Sequence, residues 1–595
     1  MRCRWALMSV SCMLFFAARV AAAPPSASPG SNTTKAATSV QTEAAKRKLP
    51  ITISRETTYI TAPLRADGYP DYVAALDEMA SQGVTTENNA AVLLLEAVGP
   101  ASLTYGFNQE PLTAEERAKV YTMLGMAALA DNGEYFVNFI EYVEKHDPEA
   151  LKRDQTRRSI ADKEFARAGK RPWQKKDCPL VAAWLRANEE PLDKIVEASR
   201  RPRFYLPLIP KGTSWDSVTL AFLSINRPLL FGESALATWR RETTAPLVMR
   251  AMLRTAEGRF KEAWGDLLAC HRLARLVAQV PALDAVLMAS RWEGAATVGD
   301  GELAHYGQLT AEQAKQCLAD LRGLPRLPSI IERFDVWQRF EFLDAICAIA
   351  SRRTNAAEIF GVAGRVENGW DQIMRRRLIA ELDAGKVDWD SLLRFGNQHY
   401  DQIAAALRKP DWREQDAALV AIDKQIRRDA KKLESGESPE EFDRWLPAEG
   451  IKMLPATDPR SLLTSPPTNL FMERASQMVF AIAAWRAVKH RYPNYERDLF
   501  SIKILDRLPA DPYDRKRPLG YSPRWNAKPF GPVIGYCLSS VGPNGKWNEL
   551  PPGVTKAGLS RVEFNGLHQP FGPLDKLEDN DDLVLVVPAP DDEEK

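Results

Sequence analysis

The chain has 595 residues, of which 45% are hydrophobic and 26% are charged. These proportions are typical of a folded globular protein, and they exclude a disordered chain, a collagen-like chain and a polytopic membrane protein. Its 79 lysines and arginines nearly balance its 78 aspartates and glutamates. Because a nucleic-acid-binding domain usually shows a strongly basic surface, we expect no nucleic acid among the partners.

Residues 1–22 have the pattern of a secretory signal peptide. Arg2 and Arg4 precede an apolar stretch that ends in the small residues around Ala22, which fits the usual charge, core and cleavage regions. Cleavage after Ala22 would remove three basic residues and no acidic one. The apolar stretch is shorter than the ~20 residues that a membrane span needs. We therefore expect an exported protein, periplasmic or extracellular, with no transmembrane span after removal of the leader.

Residues 23–49 are rich in Ala, Ser, Thr and Pro and are predicted to be a disordered linker, because they cannot bury enough apolar surface to fold. Five cysteines follow the predicted leader, without any Cys-x-x-Cys pair: Cys178, Cys270, Cys317, Cys347 and Cys537. Their number and spacing argue against a zinc site and against a disulfide framework. Cys270, Cys317 and Cys347 lie in helical patterns and are expected to be buried.

Residues 50–455 are predicted to form a long helical body. Thr113, with acidic residues in the following turn, predicts the start of a helix over 113–130. Thr310 and Gln313 form a capping-box pattern at the start of a helix that ends near Arg322. A third amphipathic helix is predicted over 411–434.

Two parts of this body have a pattern of their own. The β-branched residues of 51–62 predict a strand or a hairpin. Residues 251–278 resemble one tetratricopeptide unit, but a second copy at the expected 34-residue spacing is not evident. The favoured interpretation is a helical hairpin within an irregular bundle. Segments 51–110 and 332–346 also resemble uncharacterised secreted bacterial proteins, a likeness that implies no activity.

After a predicted linker at 456–469, residues 470–595 have a different pattern. A helix is predicted over 471–491, with an apolar stripe at three- and four-residue spacing: Phe471, Ala475, Met478, Ile482 and Trp485. Short motifs follow it in a fixed order: Arg491-Tyr492-Pro493, Asp511-Pro512-Tyr513, Pro518, Tyr521, Ser540 to Lys546, and Asp581-Asp582-Leu583.

In this order the motifs resemble the soluble domain of type II secretion major pseudopilins. The resemblance covers about 470–590, roughly a fifth of the chain, and implies a small α+β fold. In that family a transmembrane half-helix directly precedes the domain, whereas over 400 residues of predicted soluble protein precede it here. The pattern therefore indicates a pilin-like fold that is used as a domain of a larger protein.

Those pseudopilins bind one calcium ion in the loop that joins the last strands. The resemblance points to Asp579, Asp581 and Asp582, with backbone oxygens near Leu538 and Val541, as calcium prefers six to eight oxygen ligands. In this chain the loop is enlarged by residues 547–577. An acidic, solvated turn before the final strand is the alternative interpretation.

No catalytic motif is evident. The histidines occur at 146, 271, 305, 399, 490 and 568, and none belongs to a His-Glu-x-x-His pattern. His271 and His490 lie on predicted helices and are expected to be packed or on the surface rather than catalytic. The chain has no Gly-x-Ser-x-Gly, no Walker loop and no Gly-x-Gly-x-x-Gly. Its basic clusters are flanked by acids, which favours solvated helix faces.

The sequence thus predicts a mainly α protein: a helical body, with hairpins that could be tetratricopeptide-like, and a small α+β pilin-like C-terminal domain. We expect a non-enzymatic interaction or scaffold protein of the bacterial envelope, with protein partners. One alternative is an accessory component of a type II secretion or pilus-like assembly. Another is a hydrolase whose site is assembled from distant residues. Calcium is the one cofactor considered.

Overall fold

The structure, a computed structural model, describes residues 49–105, 110–154, 157–209, 243–328, 330–357, 376, 379–434, 459–463, 465–525, 533–541, 567–568 and 583–588. Within these residues the fold is mainly helical with one small antiparallel sheet near the C-terminus, which confirms the predicted fold class. The predicted leader and nearly all of the predicted linker at 23–49 lie outside the described residues. No described helix is both long and apolar enough to cross a membrane.

Seven short helices form the first part of the body: α1 (Tyr72–Ser81), α2 (Ala90–Val98), α3 (Ala114–Leu124), α4 (Phe139–His146), α5 (Ile160–Ala168), α6 (Pro179–Ala187) and α7 (Glu189–Ala198). Thr113 caps α3 in a capping box with Glu116, as the sequence predicts. The helix ends earlier than expected because Gly125 adopts a left-handed conformation with φ 65°.

The predicted strand at 51–62 is wrong, because this segment forms turns instead. Two of its backbone carbonyls are satisfied by a side chain from elsewhere in the chain: Asn397 Nδ2 donates to Glu56 O at 2.9 Å and to Thr57 O at 2.8 Å. The Arg339 guanidinium lies 4.4 Å from the centre of the Tyr59 ring. These contacts bury the threonines without a sheet.

The central helices are longer: α8 (Thr244–Ala256), α9 (Phe260–Val277), α10 (Leu283–Tyr306), α11 (Ala311–Arg322), α12 (Ile330–Ala350), α13 (Trp389–Leu407) and α14 (Trp412–Glu434). Helices α8 and α9 form the predicted hairpin, which turns at Gly258 with φ 72°. Helix α9 packs against both α8 and α10. The capping box at Thr310 is confirmed. The five cysteines of the predicted mature chain are all buried and free.

Helix α15 (Ser465–Lys489) begins before the predicted start at Phe471. Pro466 and Pro467 occupy its first turn, where a missing amide hydrogen costs no helical hydrogen bond. The predicted stripe from Phe471 to Trp485 is buried, and so are Met472, Ser476 and Phe480 on other faces. This helix is covered on several sides because it packs against α10 and α11 as well as against the sheet.

The sheet contains β3 (Gly520–Trp525), β4 (Val533–Ser540), β5 (Leu567–His568) and β6 (Leu583–Val587), in the order β3-β4-β6-β5 with antiparallel pairing. A separate two-stranded hairpin, β1 (Thr104–Tyr105) and β2 (Glu110–Pro111), belongs to the body. Strand β6 lies against α10, where a Cβ atom at Gly301 would come within 2.9 Å of Val587 Cγ2. The C-terminal sheet therefore packs directly on a body helix.

We predict opposite effects for two helical Gly→Ala substitutions. A Cβ at Gly396 in α13 would overlap the buried Phe342 ring of α12, so Gly396→Ala should destabilise the protein by about 1–3 kcal/mol. A Cβ at Gly265 in α9 would meet no atom within 4 Å, so Gly265→Ala should stabilise it by up to about 1 kcal/mol. Calorimetric melting temperatures test this, and a higher melting temperature for Gly396→Ala would contradict the close packing of α12 on α13.

Candidate functional site

The predicted calcium site cannot be assembled from the described residues. Asp579, Asp581 and Asp582 all lie outside them. Leu538 is buried in β4 and pairs with Leu585 of β6. Among the described residues, no group of three or more His, Cys, Asp or Glu side chains is placed to hold a metal ion. Calcium binding therefore stays a prediction from the resemblance.

Two of the C-terminal motifs meet at the buried carboxylate of Asp511. Its Oδ1 accepts hydrogen bonds from the Tyr513 amide at 2.8 Å and from Ser540 Oγ at 2.8 Å. Its Oδ2 accepts one from the Val541 amide at 2.9 Å. Because Asp511 is 0% exposed, these bonds replace the water that a buried carboxylate would otherwise lack. The Asp-Pro-Tyr turn is thus fastened to the end of β4.

Two motif tyrosines, Tyr492 and Tyr521, cluster in the interior with Tyr536 of β4. The Tyr536 ring lies 5.5 Å from that of Tyr492 and 5.8 Å from that of Tyr521. The Tyr492 hydroxyl and Nδ1 of His305, on α10, are hydrogen-bonded at 2.6 Å. Burial and the Arg486 guanidinium lower the pKa of His305 to about 4, so this ring is uncharged at neutral pH. The motif residues therefore hold the sheet, α15 and α10 together.

A fully buried histidine, His271, lies on α9 and is 0% exposed. Its two ring nitrogens lie 2.9 Å from Glu293 Oε2 and 3.0 Å from Asp300 Oδ2, both on α10. Arg275, one turn further along α9, donates to Glu293 at 2.7 Å and to the Pro325 carbonyl at 2.6 Å. We call these four side chains, His271, Arg275, Glu293 and Asp300, the histidine cluster.

The histidine cluster is electrically neutral when all four groups are ionised. Burial alone would lower the pKa of His271, but the carboxylates of Glu293 and Asp300 outweigh it and raise that pKa to about 9. Burial opposes ionisation of Glu293 as well, and the neighbouring His271 and Arg275 still lower its pKa to about 2. Burial raises the pKa of Asp300, and the neighbouring His271 opposes this shift. At neutral pH the imidazolium donates one N–H to the Glu293 carboxylate and the other to Asp300.

A second buried network lies on the opposite side of α9. Asp266, 1% exposed, accepts two bonds from Arg250, at 2.7 Å and 3.2 Å, and one from Arg254 at 2.6 Å. Both arginines belong to α8, and Arg250 also reaches Asp193 of α7 at 2.8 Å. The forked contact between Arg250 and Asp266 has the bidentate geometry of a strong pair.

These clusters contain the acid, base and imidazole types that hydrolytic sites use, but a substrate cannot reach them without opening the core. His271, Glu293 and Asp300 are each at most 1% exposed. They pair with one another and join helices instead of facing solvent, but Asp300 Oδ1 has no hydrogen-bond partner among the described residues. The prediction that His271 is packed rather than catalytic agrees with this burial. Its two carboxylate partners were missed because they follow it by 22 and 29 residues.

An open cleft lies where three segments meet. It has a volume of about 480 Å³ and is lined by the start of α14, the start of α15 and the turn that follows Asp511. The rings of Trp412 and Tyr513 stand edge to face with centroids 5.8 Å apart. Four lining residues are prolines: Pro410, Pro466, Pro467 and Pro512. The volume lies in the range of small-ligand sites, about 300–1,000 Å³.

The rim of the cleft carries three cations and two acids, and the acids are already engaged. Asp411 accepts a bond from the Arg413 amide at 2.8 Å, and Asp514 pairs with Arg517 at 3.2 Å. The Arg413 guanidinium lies 4.7 Å from the Trp412 ring centre. Within the described part of the chain, the exposed side chains of Arg515 and Lys516 form no hydrogen bond or ion pair. The rim is therefore basic in effect.

Comparisons with known proteins do not add to this geometry. The chain matches no family model, no curated protein and no solved structure. The resemblance to pseudopilins consequently stays an expectation from the motifs. Among the described residues, the lining of the cleft combines aromatic, apolar and cationic side chains.

We predict that Asp511→Asn destabilises the protein by about 1–3 kcal/mol, because an amide cannot accept on both sides and the Val541 amide or the Ser540 hydroxyl loses its partner. Asp514→Asn is the control, since it weakens only a partly exposed ion pair worth less than about 1 kcal/mol. Melting temperatures of the two variants provide the measurement. Equal losses would show that the Asp511 carboxylate does not fasten the turn to β4.

The pKa of His271 predicts a loss of stability at alkaline pH. Because its folded pKa is about 9 and the ordinary value is 6.5, its contribution is complete below pH 6.5 and is lost as the pH rises through 9. The melting temperature of the wild type should therefore fall across this window. In His271→Gln this part of the pH dependence should disappear, so that the two proteins differ less at pH 9 than at pH 6.5.

His305→Gln is the matched control for that experiment. The folded pKa of His305, about 4, lies below its ordinary value, so its linkage to folding is confined to the range between pH 4 and pH 6.5. From pH 6.5 to 9 the difference between His305→Gln and the wild type should stay constant. A difference for His271→Gln that is equally constant would contradict a charged His271 in the core.

Proposed function

We propose that this chain is an exported, non-enzymatic protein of the bacterial envelope, which acts by binding another protein at the cleft between α14, α15 and the 510–517 turn. The observation that carries the proposal is the composition of the cleft: an edge-to-face Trp412–Tyr513 pair, prolines and a cationic rim. Aromatic residues and arginine are enriched at protein interfaces, where a few such side chains supply most of the binding energy.

A binding role agrees with where the described imidazole and carboxylate side chains lie. The imidazole and the two carboxylates that meet in the histidine cluster are each at most 1% exposed. The cleft itself has no histidine or cysteine among its lining residues, and its two aspartates are engaged by neighbouring groups. This distribution supports recognition at the surface and stabilisation in the core.

The export part of the proposal rests on the leader pattern of residues 1–22 alone. An envelope location also agrees with the burial of the free thiols. Burial raises the pKa of Cys178 to about 11 and that of Cys537 to about 11, which keeps both in the thiol form. A buried, protonated thiol is a poor nucleophile for disulfide exchange in an oxidising compartment.

Site-specific photo-crosslinking tests the binding role. With p-benzoylphenylalanine in place of Lys516 at the rim, irradiation of cells of the native host should give one dominant protein adduct that mass spectrometry identifies. The same photoreactive group in place of the exposed Lys119 on α3 should not give it. Trp412→Ala should reduce the adduct at 516 several-fold, because it removes the aromatic wall.

Folding of each crosslinking variant is checked by its melting temperature, so that loss of the adduct reports on the cleft. Identical adducts at 516 and 119 would show non-specific proximity instead of a binding site. An adduct that Trp412→Ala leaves unchanged would remove the cleft from the interface. Either result would overturn the proposed function.

A further inference from the structure

The apolar wall of the cleft is unusually rigid. Proline has one fixed backbone angle and no side-chain freedom to lose, and Pro410, Pro466, Pro467 and Pro512 all line the cleft. Pro512 and Tyr513 directly follow Asp511, whose carboxylate fastens their turn to β4. A wall of this kind is formed before a ligand arrives, which reduces the entropic cost of binding.

The polar groups of the cleft favour a ligand with negative charge. Arg515 and Lys516 are exposed and unpaired within the described residues, and the engaged acids Asp411 and Asp514 do not compete for them. Residues of the first turns of α14 and α15 also line the cleft. The N-terminal ends of helices carry partial positive charge, which adds to the field of the cations.

We propose that the cleft binds an extended, acidic peptide segment that contains proline. This inference rests on the proposed function and names its ligand class. Proline-containing segments adopt the polyproline II conformation, which is preformed and presents flat rings to aromatic-lined grooves. Carboxylate side chains between the prolines are the complement of Arg515 and Lys516 at the rim.

A peptide explains the arrangement better than a small anion does. A small anion needs several donors that converge on one point, whereas the lining of the cleft mixes apolar and polar side chains and its free cations lie at the solvent-exposed edge. An extended chain can place rings against the solvent-accessible Pro410, Trp412 and Pro466 while its charged side chains reach the rim. Tyr513, which packs on Trp412, is itself only 3% exposed. One ligand then contacts the apolar wall and the cationic rim of the cleft at the same time.

Fluorescence anisotropy of labelled synthetic peptides tests the inference on the full chain. The probe is a peptide of three Glu-Pro-Pro repeats. A peptide of three Lys-Pro-Pro repeats reverses the charge and keeps the backbone, and one of three Glu-Gly-Gly repeats keeps the charge and removes the prolines. Inorganic phosphate at matched ionic strength serves as the small-anion competitor.

Two double variants distinguish the effect of the rim cations on peptide binding from the effect of the protein's net charge. Arg515→Glu with Lys516→Glu reverses the two free cations of the cleft. Lys119→Glu with Lys145→Glu makes the same change in net charge at exposed positions of α3 and α4. All four side chains are exposed, so neither double variant should lower the melting temperature by much.

We expect the Glu-Pro-Pro peptide to bind the wild type and the 119/145 variant equally, and the 515/516 variant at least about tenfold more weakly. The Lys-Pro-Pro and Glu-Gly-Gly peptides should bind at least about tenfold more weakly than the Glu-Pro-Pro peptide. Equal binding of the Glu-Pro-Pro peptide to both double variants, equal binding of either control peptide, or full competition by phosphate would each overturn the inference.

Failure of this inference is distinguishable from failure of the proposed function. A specific photo-crosslinked partner at Lys516, together with no affinity for the Glu-Pro-Pro peptide, would leave a protein-binding cleft whose ligand belongs to another class. Peptide binding at the cleft without any specific adduct in cells would instead contradict the proposed role and leave the chemical preference of the cleft in place.

Discussion

The fold depends on one buried helix that is joined by charge to its neighbours on two sides. Helix α9 directs Asp266 to the arginines of α8, and it directs His271 and Arg275 to the carboxylates of α10. Such contacts are weak evidence of net stability, because desolvation offsets most of the attraction. These contacts instead fix the position of α9 relative to α8 and α10. A shift of α9 along either helix would leave a buried charge unpaired, which costs several kcal/mol.

Helix α10 extends this constraint to the C-terminal part of the chain. Its Asp300 faces α9, whereas Gly301 allows Val587 of β6 to approach closely and Thr297 receives a bond from Ser476 of α15 at 3.2 Å. At its end, His305 is hydrogen-bonded to the hydroxyl of Tyr492. The residues that resemble pseudopilin motifs are therefore used for internal packing, and helix α15 is buried between the body and the sheet.

The starts of helices could be predicted from neighbouring residues in the sequence. The buried clusters and the cleft could not, because their residues are far apart in the chain. Thr113 and Thr310 were recognisable as helix starts because a cap is satisfied within three residues. The turns at 51–62 were not, although Ser54 and Thr58 bond to each other locally, because the carbonyls of Glu56 and Thr57 are satisfied by Asn397, more than 300 residues away. The cleft was invisible for the same reason, because Trp412 and Tyr513 meet only after the whole C-terminal part has packed.

The position of the cleft has a consequence for how it can respond to a ligand. Its walls belong to α14, to α15 and to the turn held by Asp511, and these segments are separated along the chain. A ligand that contacts all three stabilises their mutual packing by mass action. Binding should therefore be coupled to the same contacts that fasten the turn to β4, so that the Asp511 carboxylate influences affinity without touching the ligand. If the cleft binds a ligand, that binding and the stability of the C-terminal packing depend on one set of interactions.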